Sequence, residues 1–100
     1  MIIGCCYIKF YLHESRSLKE KRRVVRAIKD RLKNNFNVSV AEVGDPDNWQ
    51  SLHIGISAVG SDRPYMDGLM TKVVDAIDRM NLAEITNCKT ETMNLGSGNF

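Results

Sequence analysis

The sequence predicts an α+β fold: a four-stranded antiparallel sheet with two helices on one face. Three observations predict it. Four segments are rich in strand formers or alternate with period two, and two long segments repeat apolar residues every three to four positions. Their order along the chain is β-α-β-β-α-β. The chain has 100 residues, enough for one core and too few for two. Both helices must bury their stripes on the same sheet face, and right-handed crossovers leave few ways to do it. The ferredoxin-like split β-α-β, with strand order 4-1-3-2, is the natural solution. One domain is expected over residues 1–93, with 94–100 a frayed tail.

The first segment, MIIGCCYIKFYL, reads as a strand from its β-branched and aromatic residues. Ile2, Cys6, Ile8, Phe10 and Leu12 form the core face, because the only charge, Lys9, falls on the other face. Ser17-Leu18-Lys19-Glu20 is a capping box, in which serine accepts a first-turn N–H and Glu20 reaches back to the Ser17 N–H. Leu18, Val25, Ile28, Leu32 and Phe36 then recur at helical spacing, giving a helix from about Leu18 to Asn35. NVSVAEV (37–43) and SLHIGISAV (51–59) alternate and flank GDPDNWQ, a turn by composition. In the longer strand Leu52, Ile54, Ile56 and Ala58 point inward. Ser61 or Asp62 caps a second helix with Pro64 in its first turn, and a stripe from Tyr65 to Met80 faces the core. AEITNCKTETM (83–93) supplies a fourth, more polar strand.

Charge is the feature least explained by folding. The net charge is only +2, but residues 19 to 33 carry eight of the fourteen Lys and Arg against two acids, Glu20 and Asp30. That window is +6 and the remainder −4. Lys19, Arg22, Arg26, Lys29 and Lys33 follow helical steps of three and four, forming one stripe about 21 Å long. Arg23 lies nearby, and Lys21 and Arg31 are expected on or near the opposite margin. A merely solubilising helix usually interleaves acids, since i,i+4 ion pairs help and like charges oppose. This stripe contains none, which points to an anionic partner. RNA is favoured over membrane lipid because no large apolar anchor accompanies the charge.

The sheet face opposite the helices is expected to show Tyr7, Lys9, Tyr11 and His53, with Ser57. Aromatic and basic groups there resemble an RNA-stacking platform, but the third strand lacks the ring pattern of that module. A partner subunit or water is the plainer expectation for this face. Trp49, the only tryptophan, is expected to fold over a sheet edge or a partner chain, with base stacking as its functional alternative. The edge segment NVSVAEV has no Lys or Pro to block pairing, so a homodimer through that edge or the bare face is also expected.

No catalytic constellation is legible. His13 and His53 sit on different elements. Asp45 and Asp47 suggest the opening of a calcium loop, but Trp49 occupies the fifth place and no closing Glu follows. The loop before the first helix, HESRS, has neither the CxxC of a copper carrier nor the glycines of an acylphosphatase-like anion cradle. No metal or cofactor is expected. Cys5, Cys6 and Cys88 are an odd set without metal-ligand spacing, read as free thiols in a reducing cytoplasm. No apolar run reaches the ~20 residues of a membrane span, and the first strand lacks the features of a signal peptide.

The segments S-L-K-E-K-R and N-V-S-V-A-E-V-G-D-x-D-x-W-Q resemble the YlxP-like family of small bacterial proteins, a domain of unknown function. The similarity runs from about Ile3 to Val74. It implies a ferredoxin-like fold and a gene neighbourhood of translation and ribosome-maturation factors. It supplies no activity and no catalytic residues. The expected function is therefore a non-enzymatic module associated with RNA or a ribosomal particle through Lys19, Arg22, Arg23, Arg26, Lys29 and Lys33. An interaction or homodimerisation module is the alternative. A phosphoester or small-anion enzyme using the helix start at Ser15 to Ser17 comes third.

Overall fold

The computed structural model describes residues 1–96. The elements are β1 (Ile2–Tyr11), α1 (Leu18–Asn35), β2 (Ser39–Glu42), β3 (Ser51–Gly60), α2 (Arg63–Met80) and β4 (Glu84–Asn94). The antiparallel sheet has the order β2-β3-β1-β4, the expected ferredoxin-like arrangement with two helices.

Period-two alternation decides what is buried. Ile2, Cys6, Ile8 and Phe10 of β1, Val40 of β2 and Leu52, Ile54, Ile56 and Ala58 of β3 form the sheet side of the core. Val25, Ile28 and Leu32 of α1 and Met66, Met70, Val73 and Ile77 of α2 close it. Gly4 lets α2 approach: a Cβ there would lie 2.5 Å from Met66 Sδ. The register sets Cys6 opposite Ile56 on one side and Thr90 on the other.

The caps follow from the sequence. Ser17 Oγ accepts the Glu20 N–H at 3.2 Å. The Glu20 carboxylate accepts the Arg16 N–H, one residue before the position the capping box predicts. Asp62 caps α2 by accepting the Tyr65 N–H at 2.8 Å. That helix ends on Asn81 in the left-handed region, φ 50°, where a short amide side chain is tolerated.

Three expectations need correction. Tyr65 is not part of the α2 core stripe but 65% exposed, because it is turned about 100° round the helix from buried Met66. Regular β2 spans only four residues, although the Val43 N–H still donates to the His53 carbonyl at 2.9 Å. The chain beyond residue 93 does not fray at once. Asn94 pairs with Ile2, and Met1 and Leu95 exchange hydrogen bonds through the Leu95 N–H and the Met1 amino group. Residues 97–100 of the expected tail lie outside the described residues.

The three cysteines are free. Cys6 is buried among apolar side chains, and that burial, with Cys88 beside it, pushes its thiol up to about 12. Among the described residues no helix is long and apolar enough to cross a membrane.

Candidate nucleic-acid interface

On α1 the buried residues are Lys21, Val25, Ile28 and Leu32. At 100° per residue the stripe of Lys19, Arg22, Arg26, Lys29 and Lys33 lies to one side of them. Lys19, Arg22, Arg23, Arg26 and Lys33 are exposed, and Lys29 is half-buried. Among the described residues the only ion pairs are His13–Glu84 and Lys21–Glu42. The cations of the stripe therefore face solvent with no carboxylate bound to them.

Lys21 is the cation that sequence reasoning misplaced. It lies in the middle of the buried face, not at its margin, and is 2% exposed. Its stem runs beneath the loop joining β2 to β3. Nζ donates to the carbonyls of Asp45 at 2.9 Å and Asn48 at 2.7 Å, with the Pro46 carbonyl at 3.5 Å. Glu42 Oε1 stands 3.1 Å away. That oxygen has no directed hydrogen bond, so its link to the ammonium is a contact of opposite charges. An ammonium has three protons, and here four oxygens surround it. Loop carbonyls that would otherwise lack donors are satisfied by one buried charge.

The loop is tied further by its own side chains. Asp45 Oδ1 accepts the Asp47 N–H at 2.9 Å. Asn48 Oδ1 accepts the N–H groups of Gln50 and Ser51 at 3.1 and 3.2 Å. The Gln50 carbonyl accepts the Leu12 N–H at 2.9 Å. The Asp45 carboxylate thus serves turn geometry. Trp49 sits between anchored neighbours, yet 40% of it remains exposed, so the expected packing is incomplete.

The open sheet face brings together Tyr7, Lys9, Tyr11 and His53 on adjacent strands, with Lys9 directly opposite His53. Its rings are drawn into contacts with each other. The Tyr7 hydroxyl is hydrogen-bonded to His53 Nδ1, and the rings are tilted by 57°. His53 Nε2 lies 3.2 Å from Ser51 Oγ. Gly44 crosses so close that a Cβ would lie 2.5 Å from the His53 ring. Tyr11 meets His13 edge-to-face, and His13 Nε2 is 2.5 Å from Glu84 Oε2. The rings are engaged with each other, and they lie on the side of the sheet away from α1.

The α1 start is partly occupied by the chain itself. Ser15 is buried and donates to the Ser17 carbonyl at 3.2 Å, Ser17 Oγ takes the first-turn Glu20 N–H, and the Glu20 carboxylate takes the Arg16 N–H just before the helix. A substrate anion would compete with the chain's own carboxylate.

The Bacillus subtilis (strain 168) uncharacterized protein YlxP is 38% identical over 90 residues, covering 90% of this chain and 98% of that protein. Among solved structures, the de novo designed protein Foldit4 superposes with a TM-score of 0.52 at 15% identity, over 94% of this chain and 97% of the other. That likeness concerns the fold alone. The family described as "Protein of unknown function (DUF503)" matches residues 3–90, and with the YlxP similarity this places the chain in that family.

Proposed function

We propose that this protein is a non-enzymatic RNA-binding module that holds phosphates along α1. One observation carries the reading: Lys19, Arg22, Arg26 and Lys33 are exposed on one side of the helix, with Lys29 half-buried between them, and no carboxylate is paired with them among the described residues. Steps of three or four residues space these cations about 4.5–6 Å apart along the axis. Such a ladder positions a phosphate backbone and carries no sequence information. A ribosomal particle presents that chemistry at high density.

The test is a salt titration of RNA binding by the wild type and by the variant R22Q/R26Q/K29Q. Each neutralised phosphate releases counterions, so the variant's log–log slope should shrink by about 2 for single strands. Circular dichroism checks that the fold is retained. Equal affinity and equal slope in the two proteins would reduce the stripe to a solvated helix face.

A second reading, an interaction or homodimerisation module, rests on the open face. No helix covers it. A shallow depression of ≈ 630 Å³ lies there between Tyr7, Ala41, Val43, Gly55 and Lys89. Val59 and Met93, opposite Ile3 on its two sides, are exposed. The edges are less suited to pairing, since β2 is short and β4 carries Lys89 and a register shift opposite Lys9/Phe10. Light scattering at high micromolar concentration separates the readings: a clean monomer mass removes the stable dimer.

A further inference from the structure

We propose that the RNA partner is single-stranded and that Trp49 is the platform on which one of its bases stacks. The inference rests on the phosphate reading above and extends it with a base contact.

Lys21 fixes the loop that carries Trp49. A large ring exposed on a loose loop would lose much of its binding free energy to ordering, whereas a ring on a fixed backbone is preorganised. Trp49 is of the second kind. The carbonyl of Asn48 before it is held by Lys21 Nζ at 2.7 Å. The Gln50 after it is held through both its N–H and its carbonyl. The loop is thus docked on α1 by a side chain from the very turn that carries Lys19 and Arg22. The indole nevertheless keeps 40% of its surface in water, although the chain could gain by burying it.

The charges around the ring decide which part of a nucleic acid it meets. Asp45 and Asp47 share its loop and are exposed. They repel phosphates, so the loop is unsuited to a backbone contact. A neutral base has no such penalty and stacks on an aromatic face whatever its sequence. A single strand can lay phosphates on Arg22, Arg26 and Lys33 while turning one base toward the loop. A duplex keeps its bases stacked inside and brings a second row of phosphates toward the two aspartates. The aromatic residues of the open sheet face are drawn into ring contacts, Tyr7 with His53 and Tyr11 with His13, and stand on the side of the sheet away from α1.

The experiment titrates the full chain with a 12-nucleotide oligoadenylate and with an RNA duplex of equal charge. Wild type, W49A, W49F and R22Q/R26Q/K29Q are compared. The single strand should quench indole emission in the wild type, and the duplex should not. W49A should bind the single strand about tenfold more weakly with an unchanged salt slope, and W49F should recover part of the loss. Duplex binding should be the same in wild type and W49A. Absence of quenching, or single-strand affinity in W49A equal to wild type, overturns the stacking role, as does an equal loss on the duplex. In each case a flattened slope in R22Q/R26Q/K29Q leaves the phosphate ladder standing. A wild type that binds neither RNA overturns both.

Discussion

Replacing Lys21 by Met removes a buried charge while keeping an unbranched stem of similar length. The wild-type ammonium makes two well-formed hydrogen bonds, at 2.9 and 2.7 Å, and one ion pair at 3.1 Å. Breaking a buried ion pair by deleting one partner costs about 3–5 kcal/mol, because the other charge is stranded. Glu42 is 25% exposed, so water relieves part of that penalty. Met fills most of the vacated space, so the cavity contribution is small. The net expectation is a loss of about 3 kcal/mol. For a domain of this size that lowers Tm by about 12–24 °C. Urea unfolding followed by circular dichroism measures it, with Trp49 emission reporting on the loop. The double variant K21M/E42Q should recover part of the loss, since the stranded carboxylate is gone. A K21M midpoint and slope that place the loss below about 1 kcal/mol would refute the clamp.

Ser17→Ala should destabilise by about 1 kcal/mol, because the Glu20 N–H loses its acceptor; an unchanged melt would show that the cap is dispensable. Gly4→Ala should cost about 1–3 kcal/mol, since the new Cβ would lie 2.5 Å from Met66 Sδ in a filled core; a wild-type Tm would mean that Met66 yields freely. Cys6 should resist thiol reagents at pH 8 in the folded protein and react once the chain is unfolded. Its folded pKa of about 12 stands above the ordinary value of 9.0, so the unfolded state loses its proton first. Stability should therefore be fully present below pH 9 and fall as pH rises through 9 to 12. Urea titrations of wild type and Cys6→Ser across that range check the sign. A fall of equal size in both would assign it to other groups.

The topology was legible because two periodicities alternate cleanly along the chain, and because Ser17, Asp62 and Pro64 mark helix starts. The basic stripe was legible for the same reason: helical spacing places Arg22, Arg26 and Lys29 together whatever surrounds them. Lys21 was not. Its own angle sets it amid Val25, Ile28 and Leu32, but the rule that lysines avoid the interior argues the other way. The carbonyls that satisfy it come from residues more than twenty positions later, in a loop whose path no local pattern reveals. The Tyr7–His53 contact was hidden differently. The strand register could be guessed to within one face, but a diagonal pair depends on the register itself. Tyr65 misled because it is a large ring next to Met66, yet helical geometry turns it about 100° away from the line of Met66, Met70, Val73 and Ile77.

β4 has a role beyond completing the sheet. Apart from partly covered Ile85 and Thr92, its side chains are exposed, so its ladder to β1 is its main anchor, helped by Thr92 donating to Asp67, Arg63 donating to the Thr92 carbonyl and the His13–Glu84 pair. Beside it in the sheet lies IIGCCYIKFY, a run with high β-propensity and one charge. That composition, with a free edge, is the signature of a cross-β aggregator. β4 therefore acts as a cover strip over the most adhesive segment of the chain. Transient detachment would convert an interior strand into a template for foreign strands. Amide exchange should show β4 opening at much lower free energy than β3, and truncation before Glu84 should turn a well-behaved fold into a precipitating one.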